Sequence, residues 1–281
     1  MSQLTANTSQ TTDTPDAAGL NAIRLMGVRL HVVAEAQAVA HILDELNAGR
    51  GGWVITPNLD HLRRATRDEG YRALLEEGDL MLADGMPLIW AAKMQGTPLP
   101  QRVAGSSLVG VLAQAIAARG RSLYLLGGAP GAAQAAADVL RQRCPGLNIV
   151  GMYCPPMGFE RDEQQMKIIR DQLHQVKPDI VYVALGSPKQ ELLIQQVRRD
   201  LPASWWLGVG ISLSFLGGQV RRAPRWMQKV GLEWLHRLCQ EPGRLARRYL
   251  VEGIPFALHL FACSLMSRGQ YSVNSDKKSV Q

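Results

Sequence analysis

Short apolar runs alternate with helix-length amphipathic segments through most of the chain, and this alternation constrains the fold more than any other feature. WVIT, LYLLG, IVYVALG and WWLGVG are each typical of a buried strand, and most are followed by apolar residues at helical spacing. Such alternation indicates a mostly parallel sheet with helices on both faces. We therefore predict an α/β fold with a Rossmann-like sheet.

The length and composition fit one large domain with an appendage, or two small domains. The chain has 281 residues, of which 46% are hydrophobic and 20% are charged. We predict a disordered tail over 1–20, a Rossmann-like domain over 21–220, a C-terminal helical appendage over 221–268 and a second disordered tail over 269–281. The four cysteines form no CxxC pair, and the N-terminus lacks the layout of a secretion signal, so a reducing cytoplasm fits best.

The net charge is concentrated in one segment. The segment from Arg221 to Arg248 contains eight Lys and Arg residues and only two acids, so it carries +6 of the chain's net charge of +7. Such a cluster attracts phosphate groups on nucleic acid, on an anionic membrane or on a small substrate, unless it is simply a solvated helix face. The stretch 243–266 has an apolar end, which is broken by Glu252, Gly253, Pro255 and His259 and is therefore too short and too interrupted for a membrane span. We expect it to lie on an anionic membrane surface and not to span the bilayer.

An acid stands at the end of one predicted strand. The stretch GDLMLADG, from Gly78 to Gly85, is an apolar run that ends in Asp84. Ligands bind at the carboxyl ends of strands in open α/β sheets, so Asp84 is a candidate general base. The alternative is that Asp84 only caps the following helix.

Thr56 and Asn58 follow another strand in the same way. In a parallel sheet, both side chains would share one crevice with Asp84. The alternative is a proline-containing turn with Asn58 as a helix cap.

Two further turns lie at predicted strand ends. Gly127 and Gly128 precede a helix, and the backbone N–H groups there could cradle a nucleotide phosphate, although a Gly-rich turn also serves packing alone. Gln190 and Glu191 lie in the first turn of a later helix, where the helix dipole favours an acid even without a function. Arg102 lies in a loop that enters another helix.

Several short motifs occur together in one order and spacing: TPN from Thr56, ADG from Ala83, RVAG from Arg102, GSPKQE from Gly186, GVG from Gly208 and RAPRWMQKVGLEWLHRLCQEP from Arg222. From about Ile23 to Leu250, this combination resembles the WecG/TagA/CpsF glycosyltransferases (glycosyltransferase family 26). The family often has an Asp at the position of Ser214, where an acid could contact the donor or its nucleotide.

The resemblance implies an inverting, metal-independent hexosyltransferase without a cofactor. Its donor would be a UDP-sugar carrying an N-acetylmannosamine-type sugar, glucose or a related uronic acid. Its acceptor would be a polyprenyl-diphosphate-linked saccharide, on the cytoplasmic face of the membrane. Such steps build teichoic acid linkage units, enterobacterial common antigen and exopolysaccharides. A homo-oligomer is compatible with this picture.

The resemblance also implies roles for single residues. Asp84 matches the catalytic base, and Thr56 and Asn58 match residues of the acceptor pocket. Arg102 and Gln190 match residues near the reacting sugars and the nucleotide. We place Glu191 and Arg222, which belong to the matching motifs, with the substrate-binding residues. The last group matches arginines that close over the site and neutralise the diphosphate: Arg237, Arg244 and Arg247.

Two other functions are alternatives to a glycosyltransferase. A nicotinamide-dependent oxidoreductase is disfavoured because no GxGxxG with a later ribose-binding acid occurs. A nucleotide- or nucleic-acid-binding α/β protein without transferase activity would explain the basic segment but not the polar group around Asp84, so we expect no nucleic acid as a partner. No DxD-like acidic pair marks a metal site, so arginines would replace a divalent ion in stabilising the leaving group.

Overall fold

The computed structural model describes residues 19–278, without the side chains of Arg225, Lys229 and 269–278. The predicted tails therefore lie largely outside the described residues, except that the backbone of 269–278 continues the last helix. The described chain begins with an antiparallel hairpin of β1 (Ala22–Leu25) and β2 (Val28–His31). Met26 and Gly27 both have positive φ, as two-residue hairpin turns require.

Six parallel strands form the central sheet, in the order β4-β3-β8-β7-β5-β6. This confirms the predicted parallel α/β fold. Both faces are apolar because side chains alternate along each strand: Trp205 packs into one layer and Trp206 into the other. The strands are β3 (Gly52–Ile55), β4 (Leu80–Met81), β5 (Ser122–Gly127), β6 (Asn148–Tyr153), β7 (Ile180–Ala184) and β8 (Trp205–Gly208).

Helices cover the sheet on both sides, as predicted. One apolar layer lies under α2, α3, α4, α7 and α8 and the other under α1, α5, α6 and α9, as the buried residues of each layer show. Their bounds are α1 (Glu35–Asn47), α2 (Leu59–Ala65), α3 (Glu69–Glu76), α4 (Met86–Gln95), α5 (Gly105–Ala117), α6 (Ala132–Arg143), α7 (Glu163–Val176), α8 (Lys189–Val197) and α9 (Ser212–Leu216), with 3₁₀ turns at Phe159–Arg161 and Arg198–Asp200.

The C-terminal segment is helical. It comprises α10 (Arg225–Lys229), α11 (Glu233–Gln240), α12 (Pro242–Ala246), a π-helical segment (Arg247–Gly253) and α13 (Ile254–Lys278). From Pro242 onward the helix continues through Glu252, Gly253 and Pro255, which agrees with the predicted helical appendage. The wider π turns immediately precede Pro255, which has no backbone N–H and so cannot make the usual helical hydrogen bond. Pro242–Arg268, 27 residues, is long and apolar enough by length and composition to cross a membrane.

The two faces of α13 differ in what they contact. Phe256, Leu260 and Ser264 are buried, and the two apolar residues belong to the layer that includes α4. The Phe261 ring lies 6.4 Å from the Trp90 ring of that helix. The helix therefore uses one face for packing on the sheet domain, while its opposite face exposes apolar side chains: Ile254, Leu258, Leu265 and Met266. Val251, in the preceding π-helical segment, is exposed as well.

Candidate active site

A cleft of about 740 Å³ opens at the carboxyl ends of β3, β4, β7 and β8, between the sheet and the C-terminal helices. The sheet domain contributes Thr56, Asn58, Asp84, Arg102, Gln190 and Glu191 to its lining. The C-terminal helices contribute the opposite wall: Glu233, Trp234, Arg237, Arg244, Arg248 and Tyr249.

Asp84 lies three residues after the end of β4, beside the chain that leaves β3. Its backbone N–H donates to the Pro57 carbonyl at 2.8 Å, so it adjoins Thr56 and Asn58. Its carboxylate accepts the N–H of Gly105, the first residue of α5. Gly85, with φ of 133°, is the N-cap of α4, so the interpretation of Asp84 as that cap was wrong.

The surroundings of Asp84 raise its pKa to about 6. Burial is the main cause; Arg102 and His61 oppose the shift, and the Glu233 carboxylate adds to it. At neutral pH the group is therefore mostly ionised, yet basic enough to accept a proton.

Thr56 and Asn58 both line the cleft. Thr56 Oγ1 lies against Gly105, where an added Cβ would be 3.1 Å away from it. Asn58 is also the N-cap of α2, because its Oδ1 accepts the backbone N–H groups of Asp60 at 3.0 Å and His61 at 3.3 Å. The cap interpretation of Asn58 is thus correct, and it is compatible with a place in the site.

Gln190 and Glu191 are buried in the first turn of α8. Gln190 accepts the Gly210 N–H at 3.0 Å and donates to Glu191 at 2.9 Å, which fixes the loop after β8. An added Cβ at Gly208 would lie 2.5 Å from Gln190 Nε2, so that position requires glycine. Burial raises the pKa of Glu191, but His61 and Gln190 outweigh it and hold the pKa below its usual range.

Glu233 brings two of the predicted arginines together. Arg102 Nη1 and Arg222 Nε each lie 3.3 Å from a different oxygen of this carboxylate. Arg222 does not line the cleft, but it contacts Glu233, which does.

The three predicted arginines of the C-terminal segment have different surroundings. Arg237 lines the cleft with its guanidinium 6.0 Å from the centre of the Phe215 ring, and its buried Nε lacks a hydrogen-bond partner among the described residues. Arg244 also lines the cleft and pairs with Glu241. Arg247 is 85% exposed, pairs with Glu252 and lies outside the lining.

Gly127 and Gly128 lie outside the residues that line the cleft. They are at the end of β5, where the Gly128 N–H donates to the Ala184 carbonyl of β7 at 2.7 Å. Their part in nucleotide binding stays a prediction. Ser214 is also outside the lining, and its hydroxyl lies 3.3 Å from Gln219 Oε1.

The C-terminal helices are held to the sheet domain by ion pairs and one close backbone contact. Arg248 pairs with Asp60 at 3.0 Å, and Glu252 pairs with Arg63 at 2.8 Å. The turn between α10 and α11 contains Gly231, where an added Cβ would lie 2.8 Å from Met86 on α4.

Sequence reasoning missed His61, Glu233 and Arg248 as cleft residues. A signal existed for His61, because it is three residues after a predicted helix cap and therefore on the same helical turn. Glu233 is one of only two acids in a basic segment, which could have marked it. Across residues 19–278, no group of three or more His, Cys, Asp or Glu side chains is arranged to hold a metal ion; independence of metals remains a prediction.

A parallel α/β sheet that presents a carboxylate to arginines across a cleft defines an enzyme suited to group transfer from an anionic substrate. Residues 23–270 match the Glycosyl transferase WecG/TagA/CpsF family. The chain belongs to that family of glycosyltransferases. A relative from Bacillus spizizenii, N-acetylglucosaminyldiphosphoundecaprenol N-acetyl-beta-D-mannosaminyltransferase, is 30% identical over 202 residues, which cover 72% of this chain and 76% of the relative.

Proposed function

We propose that this glycosyltransferase moves a sugar from a UDP-sugar to a polyprenyl-diphosphate-linked saccharide, with Asp84 as general base. The relative's name describes an undecaprenyl-diphosphate-linked N-acetylglucosamine and the transfer of N-acetylmannosamine, which makes an N-acetylmannosamine-type donor the first to test. The observation that carries the proposal is the placement of Asp84, with its raised pKa, across the cleft from arginines.

The proposed chemistry is a single displacement. An acceptor hydroxyl oxygen forms the new bond to the anomeric carbon, while the bond from that carbon to the β-phosphate oxygen of UDP breaks. The hydroxyl proton passes to the Asp84 carboxylate, and the bonding electrons leave with UDP. Inversion at the anomeric carbon follows from one displacement.

Arginines are suited to stabilise the departing diphosphate. Negative charge grows on UDP as the bond breaks, and preorganised cations stabilise that charge in a site shielded from water. Arg237 and Arg244 line the cleft from the side opposite Asp84. Arg237 pairs with no acid within the described residues, so its charge remains available to a substrate.

The outer face of α13 suits an anionic membrane surface. It exposes four large apolar side chains next to a basic segment, the combination with which helices lie in the interfacial plane. A lipid-linked acceptor and a cytoplasmic UDP-sugar meet only at such a surface. We therefore propose that the enzyme is peripheral on the inner face of the cell membrane.

The test is turnover of a panel of UDP-sugars with a lipid-linked N-acetylglucosamine acceptor. The wild-type chain should transfer at least one sugar. Asp84→Asn should lower turnover by about 10²-fold or more, the usual size of a general-base contribution, while binding of UDP is retained. Asp138→Asn, on the exposed surface of α6, is the matched control and should leave turnover unchanged.

Two results would overturn the proposal. Near-normal turnover of Asp84→Asn would show that Asp84 is not the general base. A salt-sensitive shift of DNA, with neither UDP binding nor sugar transfer, would favour a nucleic-acid-binding protein instead.

A further inference from the structure

His61 connects two residues of the cleft and has no role in the chemistry proposed above. It is 7% exposed and lies in the first turn of α2. Its Nδ1 is 2.8 Å from Asn58 Oδ1, and its Nε2 is 3.6 Å from Glu191 Oε1. The ring therefore lies between an amide and a carboxylate that belong to different elements.

The orientation of the Asn58 amide follows from its backbone contacts. Two N–H groups of α2 point at one atom of this amide, and only its oxygen can accept them. The short contact from His61 reaches the same oxygen, so Nδ1 must carry a hydrogen. The Asn58 N–H lies 3.4 Å from Nδ1, a longer contact that would need the opposite tautomer, so the 2.8 Å contact decides.

The other ring nitrogen faces an ionised acid. Glu191 is 2% exposed, and its Oε1 already accepts from Gln190 at 2.9 Å. At 3.6 Å, the contact from Nε2 to this oxygen is longer than a hydrogen bond, so the 2.8 Å contact to Asn58 is the one that orients the ring.

We infer that His61 is a positioning residue, which fixes the Asn58 amide oxygen on α2 so that the Asn58 NH₂ group donates to an oxygen of the acceptor saccharide. Three donors occupy the Asn58 oxygen, whereas its nitrogen has no hydrogen-bond partner among the described residues, and Asn58 lines the cleft. Hydroxyl and carbonyl oxygens of a saccharide accept such a hydrogen bond. This inference rests on the proposed function.

Two substitutions of His61 separate its contacts. His61→Asn places an N–H near the position of Nδ1 and keeps the contact to Asn58. His61→Gln places an N–H near the position of Nε2 and keeps only the contact to Glu191. We expect His61→Gln to raise the KM for the lipid-linked acceptor about tenfold, as the loss of one hydrogen bond predicts, and His61→Asn to raise it less than threefold. The KM for the UDP-sugar should stay the same in both, and thermal unfolding will show that both are folded.

Asn58→Asp is the matched change at the other end of the contact. Asp caps a helix as well as Asn does and still accepts from His61, but it has no NH₂ group to donate. The acceptor KM should rise tenfold or more, with little change in the unfolding temperature. Equal effects of the two His61 variants, or a wild-type acceptor KM in Asn58→Asp, would refute the positioning role.

A measurement without turnover separates this inference from the proposed function. The ¹⁵N chemical shifts of the His61 ring in the wild-type chain should show that Nδ1 carries a hydrogen. A ring protonated only at Nε2 would overturn the inference even if the enzyme transfers sugar. A ring protonated at Nδ1 in a protein without transfer would instead refute the proposed function, together with the role of the amide toward an acceptor.

Discussion

The two walls of the cleft are built differently. On the sheet side, α8 buries five of its nine residues, among them Gln190 and Glu191, and hydrogen bonds fix these side chains to neighbouring loops. On the opposite side, α11 has no buried residue. Few buried contacts mean a low local stability, so the two walls should respond differently to a substrate. The proposed base, Asp84, thus belongs to the more closely packed wall, and Arg237 belongs to the wall with few buried contacts.

The largest effect on the weakly packed wall should come from Arg237→Ala. No acid among the described residues pairs with the Arg237 guanidinium, so its charge is available to the leaving group. We expect its loss to lower turnover about 10²-fold, the cost of removing one donor to a developing anion. Unfolding temperature should hardly change because α11 contributes little to the core. Arg141→Ala, on the exposed surface of α6, is the control for lost positive charge. Wild-type turnover in Arg237→Ala would show that this wall does not serve the leaving group.

A smaller effect is expected from the outer face of α13. Leu258 is 64% exposed, so Leu258→Ser should leave the unfolding temperature unchanged. If this face enters the membrane interface, binding to anionic vesicles should fall about tenfold, because burial of one leucine side chain contributes roughly 1.5–3 kcal/mol. Val111→Ser, an exposed position on α5, should leave vesicle binding unchanged. Equal vesicle binding by both variants would contradict the docking surface.

The last effect is on stability, not on activity or binding, and concerns the sheet side. The pKa of Asp84 is raised from 3.8 to about 6, so the folded state binds the proton more tightly, and its stability falls as pH rises from about 4 to above 6. Asp84→Asn removes this penalty. We expect the variant to be more stable by about 3 kcal/mol at pH 7.5, and the gain to vanish near pH 3.5. Urea unfolding at the two pH values measures it; an equal gain at both would contradict the titration.

The sequence predicted the sheet wall better than the opposite wall. Buried parallel strands are apolar runs, and their carboxyl ends share one edge, so the meeting of Thr56, Asn58 and Asp84 could be predicted without coordinates. The order of strands could not: β7 separates β8 from β5, and this leaves Gly127 and Gly128 beyond the cleft.

The contacts of the C-terminal helices were beyond prediction for a different reason. Glu233 reaches Arg102 across 131 residues, and no periodicity in either segment encodes how the two are docked. A helical appendage was predicted through Pro255, but its π-helical turns were not, because they depend on local backbone adjustment that residue composition does not reveal.

The close backbone contact at Gly231 limits how the C-terminal helices could be exchanged between related enzymes. The glycine has φ of 78° and lies against Met86, two residues after Asp84. Any other residue would be strained there and would push the turn away from the start of α4. A chimaera that grafts another relative's C-terminal helices onto this sheet domain should therefore work only if the graft supplies glycine at this point, however freely its outward side chains vary.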